Sequence, residues 1–248
     1  MKLSVFLAGT VVAFASMATA APLCTDIGAP DGAVTTMADY VALGSTGCQI
    51  GDKVFYNFFY SSSFGGTAAA VPASAVFLAP VGADTFNPGI AFSGEWNVPG
   101  ASSAGNSFID TSLGFTVTVL PGGRSIDDAS LTLDAFAQTG TGLATIGETV
   151  FAADGFTQLG GRAMTVSTNG QRLDDVFFAS TGTIQVKKNF FVGVPQCAPT
   201  GEGCSASGSI AVSSFTENFS EIPEPVGAIL IGSGLLALGA WRRRGSRG

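Results

Sequence analysis

Histidine is absent from the 248 residues. Its absence removes Ser-His-Asp and Cys-His nucleophile systems, and with them most catalytic zinc sites. Charge is scarce: Asp, Glu, Lys and Arg together make up 12% of the chain. Cationic charge is scarcest in the middle. Between residues 21 and 222 only Lys53, Arg124, Arg162, Arg172, Lys187 and Lys188 are basic. Seventeen acidic residues oppose these six, a balance of −11. A surface that acidic excludes nucleic-acid binding, which needs a positive face for the phosphates. Helical periodicity of useful length is also missing between the two ends, which excludes a helical bundle.

What is abundant points to strands. Gly, Thr, Ser, Ala and Phe dominate, with 34 Gly and 20 Phe. These suit short strands and tight turns. Recurrent Phe, Val, Leu and Ile separate the chain from a disordered one. About 200 residues lie between the ends, enough for one sizeable all-β core.

The best strand evidence is 107–120, where Leu113, Phe115, Val117 and Val119 alternate with Thr116 and Thr118. Such alternation reads as a half-buried antiparallel strand. Pro121-Gly122-Gly123 then turns the chain, and 129–138 resumes with Leu131, Leu133 and Ala135 inward. Residues 53–62 form an aromatic strand. A regular pleat places Val54, Tyr56, Phe58 and Tyr60 on one face and Phe55, Asn57 and Phe59 on the other. With aromatics on both faces, this strand is expected to be central. Further strands are expected at 74–79, ended by Pro80, and at 90–98, 143–152 and 163–168. In 183–192, Ile184, Val186, Phe190 and Val192 share a face with Lys188. In 207–221 the apolar phase switches between Val212 and Phe215, which predicts a bulge. Gly155 and Gly170 are placed for positive φ in hairpin turns. Residues 23–50 form a loop-rich opening with one short helical turn near 37–43. The pattern predicts an all-β fold, an antiparallel sandwich or jelly roll.

Four cysteines, Cys24, Cys48, Cys197 and Cys204, allow three pairings. Local loop closure favours Cys24–Cys48 and Cys197–Cys204. Zinc is disfavoured without histidine or close Cys-x-x-Cys pairs.

Few residues invite chemistry. A carboxylate pair for glycan hydrolysis would come from Glu95, Asp110, Asp127, Asp128, Asp134, Glu148, Asp174 or Asp175. Nothing in the spacing brings two of them together, so the chain is read as not an enzyme. No cofactor is expected, calcium being the one candidate. Asp127-Asp128 and Asp174-Asp175, expected at loop ends, offer oxygen ligands, though no Asp-x-Asp-x-Asp-Gly loop accompanies them. Tyr56, Tyr60, Phe64 and Trp96 form either an aromatic platform for sugar rings or part of the core.

The two ends speak of location. In residues 1–20, Lys2 precedes a short apolar run and Ala18-Thr19-Ala20 fits a signal-peptidase site, so cleavage is expected between Ala20 and Ala21. At the far end Pro223-Glu224-Pro225 precedes 226–241, sixteen residues without an ionisable side chain. As a helix this run spans about 24 Å, slightly short of a bilayer core. Arg242, Arg243 and Arg244 follow and would hold the C-terminus on the cytoplasmic side.

Pro-Glu-Pro, an apolar helix and a terminal arginine cluster, in that order, resemble the PEP-CTERM sorting signal of exported bacterial proteins. The resemblance covers residues 223–248 only. It implies recognition of Pro223, Glu224 and Pro225 by an exosortase-like membrane enzyme, with Arg242, Arg243 and Arg244 as the retention cluster. It further implies a Gram-negative host that makes exopolysaccharide. The expected organisation is a signal peptide (1–20), an extracytoplasmic domain (21–222) and a sorting and anchor segment (223–248). The route is the general secretion machinery, then the inner membrane, then the cell surface or exopolysaccharide matrix. The role expected there is structural or adhesive. A carbohydrate-binding module is the alternative, and a carboxylate-based glycan hydrolase the second.

Overall fold

The computed structural model describes residues 21–27, 35–100, 105–195 and 208–220. Residues 1–20, Cys197, Cys204, Pro223-Glu224-Pro225, the apolar run 226–241 and the terminal arginines lie outside these. Among the described residues no helix is long and apolar enough to cross a membrane.

In chain order the elements are helix α1 (Met37–Ala42) and strands β1 (Cys48–Ile50), β2 (Lys53–Gly65), β3 (Phe77–Val81), β4 (Gly89–Val98), β5 (Ser107–Val119), β6 (Ile126–Thr139), β7 (Leu143–Ala152), β8 (Met164–Ser167), β9 (Leu173–Thr181), β10 (Thr183–Val194) and β11 (Ser209–Asn218). They make a six-stranded sheet, β1-β2-β5-β10-β7-β8, and a five-stranded sheet, β3-β4-β11-β6-β9. Neighbouring strands run antiparallel. The stretch β5-β10-β7-β8 faces β4-β11-β6-β9, the interleaving of a jelly roll.

Alternation decides the faces. In β5 the odd positions from Ile109 to Val117 are buried, as expected for a strand with one wet face. In β10 Ile184, Val186, Phe190 and Val192 point the same way. The facing sheet contributes Phe92, Trp96, Val212 and Phe215. Aromatic rings stitch the layers together. Trp96 meets Phe190 edge-on at 5.0 Å, and Phe190 meets Phe215 at 5.6 Å. Each such ring removed from water contributes roughly 1.5–3 kcal/mol.

Two bulges correct the expected faces. Asn57 adopts φ +53° and donates its backbone N–H to Gly44 O at 2.8 Å, so the β2–β5 register slips between Tyr56 and Phe59. Asn tolerates this left-handed conformation. One extra residue then turns Phe58 and Tyr60 inward with Phe55, and Phe59 outward with Tyr56. The second irregularity, where Ser214 pairs with Ala135 but Phe215 with Leu133, leaves Ala135 exposed rather than inward. The bulge expected between Val212 and Phe215 is present.

Other expectations shift by a few residues or more. β2 is next to the edge rather than central. β3 begins at Phe77 and includes Pro80, a position an edge strand tolerates. Asp127-Asp128 and Asp174-Asp175 lie within β6 and β9, not at loop ends. Gly155 takes φ +74°, but Gly170 keeps a φ that any residue adopts.

The opening segment is fastened in three ways. Cys24 and Cys48 form the expected disulfide. Thr36 and Asp39 make a reciprocal capping box at the start of α1. Met37 and Tyr40 of α1 are fully buried, with Tyr40 edge-on to Phe58 at 4.9 Å.

Candidate functional site

A period-two strand that buries one face must show the other. On the six-stranded sheet the shown face is built in rows by the strand register. One row runs Tyr56, Thr116, Gln185, Phe151. The next runs Phe59, Gly114, Lys187, Thr149. Then come Ser61, Ser112, Asn189 and Gly147, followed by Ser63, Asp110, Phe191 and Thr145. The last holds Gly65, Phe108 and Gly193.

Three phenyl rings on this face lie against glycines. A Cβ on Gly114 would come within 2.4 Å of the Phe59 ring, and one on Gly65 within 2.4 Å of Phe108. A Cβ on Gly193 would stand 2.7 Å from Phe191. Glycine within a strand marks a place where something approaches the backbone closely. Here that something is a ring of the same chain, laid down on the sheet. Phe108 and Phe191 stack with centroids 6.0 Å apart and planes at 20°. Phe59 is 42% and Phe191 38% exposed, so part of each ring faces water.

Polar groups lie along and between the aromatic rows. Asn189 donates its side-chain N–H to Asp110 Oδ1 at 2.9 Å. Tyr56 and Thr118 share a hydroxyl–hydroxyl bond of 3.2 Å. Lys187 holds its ammonium 4.7 Å from the Phe151 ring centre and donates to Gly155 O. Gly147, with no side chain, floors a hollow of about 340 Å³ walled by Phe151, Lys187 and Asn189. A second hollow of about 220 Å³ opens beside Phe191, between Leu143 and Pro195. From the Phe59 row to the Phe191 row is four residues, roughly 13 Å along the strand.

Of the four aromatic residues singled out in the sequence, only Tyr56 stands on this face. Trp96 is fully buried, and Tyr60 turns inward and donates to Val71 O at 2.8 Å. Burial pushes the Tyr60 phenol above its ordinary pKa, with Thr111, Ser62 and Trp96 pulling it back. Phe64 is exposed but follows the inward phase near the end of β2. Phe108 and Phe191 are absent from that expectation. The signal for Phe191 was Gly193, two residues on in the same strand, whereas Phe108 meets Gly65 only across strands.

The carboxylates are dispersed. Asp174 receives both guanidinium nitrogens of Arg162, at 2.7 and 2.9 Å, and the Thr165 N–H at 2.8 Å. Chiefly through the Arg162 hydrogen bonds, its carboxyl is held below the usual range. Asp127 accepts from Ser180, and Asp128 accepts from the Ser220 N–H. Asp175 flanks Asp174 and accepts from Arg162 through its backbone carbonyl. Among the described residues no three Asp, Glu or Cys gather as a metal site. Asp134 accepts from Thr216. Glu148 does meet another carboxylate, Glu217, but in the dry core and across Lys188.

The fold and this face together define a two-layer β-sandwich with one aromatic, glycine-floored outer sheet. No protein-family model matches the chain, and no curated protein matches it. Among solved structures it is similar to TmCBM61, in complex with β-1,4-galactotriose. There the identity is 13%, the TM-score 0.28, and the match covers 63% of this chain and 86% of that one. It is similar also to a family 11 carbohydrate-binding module from Clostridium thermocellum, in complex with a β-1,3-1,4-mixed-linked tetrasaccharide. Identity is 12% and TM-score 0.23, over 66% of this chain and 90% of that one. A third is endoglucanase 3 of Trichoderma harzianum, from family GH12, at 8% identity and TM-score 0.19, over 65% and 98% of the two chains. Superpositions this loose transfer no residue, ligand or activity.

Proposed function

We propose that the domain binds a glycan chain on the outer face of its six-stranded sheet. The observation that carries this reading is the set of rings laid flat over Gly65, Gly114 and Gly193. A flat, part-exposed ring offers its face to the C–H side of a sugar. The Ser61, Ser112 and Asn189 row between the aromatic ends, with Asp110 of the next row bonded to Asn189, offers donors and acceptors for hydroxyls. The length of the face suits several consecutive sugars. The acidic surface disfavours an anionic polymer through repulsion, so a neutral glycan is the ligand class we favour.

Binding rather than hydrolysis fits the carboxylates. On the face itself Asp110 stands without a second acid across from it in these rows, and the facing pair Glu148 and Glu217 is sealed in the core. Affinity electrophoresis through gels cast with neutral polysaccharides tests the reading. Retardation that falls in Phe59→Ala and Phe191→Ala supports it. Equal mobility in every gel, or retardation indifferent to both changes, sinks it.

The termini extend the proposal. The sequence of residues 1–20 and the PEP-CTERM-like order in 223–248 support export, a pause in the inner membrane, and processing by an exosortase-like enzyme. The bound glycan would then belong to the cell surface or to exopolysaccharide. Intact mass and fractionation, with and without that enzyme, test this separately.

A further inference from the structure

Three ionisable side chains meet where the two sheets face each other. Lys188 of β10 lies directly across from Glu148 of β7 in the antiparallel register, so both side chains project from one spot on one sheet. Glu217 reaches in from β11 of the other sheet. Lys188 Nζ contacts Glu148 Oε2 and lies 2.6 Å from Glu217 Oε2. All three side chains have no exposed surface. Phe115 stands beside the amine, with its ring centre 5.9 Å away.

As an ion cluster this arrangement is unfavourable. Two carboxylates and one ammonium leave an excess negative charge in an apolar core. Glu148 Oε1 and Glu217 Oε1 are buried without a hydrogen-bond partner. Buried charges normally have every lone pair satisfied, and an orphan costs the full loss of hydration. The core therefore favours states with fewer charges, and joining Lys188 to one carboxylate removes two of the three.

We propose that Lys188 and Glu148 condense into an intramolecular amide, with Glu217 relaying the protons. The requirements of amide formation are met by position. The nucleophile must be a neutral amine, and burial lowers the Lys188 ammonium below its ordinary pKa. The relay must be able to hold a proton, and burial raises the Glu217 carboxyl above the ordinary carboxylate range. Direct cross-strand pairing sets the amine beside the acceptor carboxyl, which supplies the proximity that a bimolecular reaction lacks. Water is excluded, so the product is shielded from hydrolysis.

The balance closes without another reactant. One proton passes from the Lys188 ammonium, through Glu217, to Glu148, leaving a neutral amine and a neutral carboxylic acid. The nitrogen lone pair forms a bond to Glu148 Cδ and opens its carbonyl. Glu217 takes a proton from that nitrogen and delivers one to the hydroxyl oxygen on the same carbon. The C–O bond breaks, one water leaves, and the carbonyl re-forms. Glu217 ends as it began. Nothing is oxidised or reduced. The product ties β7 to β10 covalently and leaves a neutral amide where two charges stood.

The mass of the native full chain tests this, with tryptic mapping to separate it from terminal processing. The expected mature mass is lower by one water than the processed, disulfide-bonded sequence. The expected map contains a branched peptide joining residues 125–162 to the segment that begins at Lys188, with no cleavage after Lys188. Glu217→Gln is expected to leave the water unlost although Lys188 and Glu148 are both present. Lys188→Met serves as the unlinked standard. A wild-type chain of full mass, cleaved by trypsin after Lys188, overturns the proposal. This requires no variant to fold. A linkage that forms equally well in Glu217→Gln overturns the relay role alone.

Discussion

Gly193 and Phe191 share one strand and one face, and a Cβ at position 193 would stand 2.7 Å from both Cε1 and Cζ of the Phe191 ring. The ring lies flat because its neighbour has no side chain. Gly193→Ala should tilt the ring off the sheet and weaken glycan retention while the strand stays paired. Phe191→Ala should weaken it by about 1–2 kcal/mol, roughly tenfold in Kd. Affinity electrophoresis beside far-ultraviolet circular dichroism separates loss of binding from loss of fold. Unchanged retention in both variants would place the glycan elsewhere.

The Cys24–Cys48 bridge, with 24 residues of separation, should stabilise the domain by about 3 kcal/mol. Thermal unfolding with and without reductant measures this, and Cys24→Ser with Cys48→Ser should match the reduced protein. Because the bridge lies in the opening segment, glycan retention below the melting point should persist without it.

Asp174 gives a pH signature. Its folded pKa lies below that of the unfolded chain, so pairing with Arg162 stabilises fully above about pH 4. That contribution is lost as pH falls through the folded value. Arg162 is half-exposed, so solvent screening limits the effect. Asp174→Asn should cost about 1 kcal/mol near neutrality, and the gap to the native protein should close on acidification. Denaturant midpoints between pH 2 and 7 would show it; a gap constant with pH would refute the assignment.

Replacing Pro223, Glu224 and Pro225 by alanine should leave the protein in the inner-membrane fraction at its unprocessed mass. Replacing only Arg242, Arg243 and Arg244 by serine should impair retention there. If both variants are processed as the native chain is, the tail is not read as a sorting signal.

Much of the fold was legible because alternation survives where strands are regular. β5, β10 and the bulge in β11 were readable from Leu113 to Val119, from Ile184 to Val192 and from the switch at Val212. β2 was misread because one left-handed residue, Asn57, inverts every face after it, and its signal is a single asparagine among aromatics. β9 was missed because Asp174-Asp175 has turn composition, yet Arg162 neutralises it inside a strand. The candidate site was hardest to read, since Gly65 lies under Phe108 and Gly114 under Phe59 only through cross-strand register. Lys188 was conspicuous among apolar residues, but its partners Glu148 and Glu217 arrive from two other strands. Neither can be matched to it without knowing which strands are neighbours.

The interleaved strand order has a kinetic meaning. β11, the last strand, fills the middle of the five-stranded sheet between β4 and β6. As the chain emerges from its N-terminus, β4 can pair with β3 at once, but its other edge must wait for a partner more than 110 residues later. Loop closure of that length precedes any reward from that pairing, so folding is slow and late. Until Ser209–Asn218 arrives, the centre of one sheet is missing and its apolar neighbours stay exposed. A chain so arranged stays open until β11 has emerged, and only four residues separate that strand from the Pro-Glu-Pro motif.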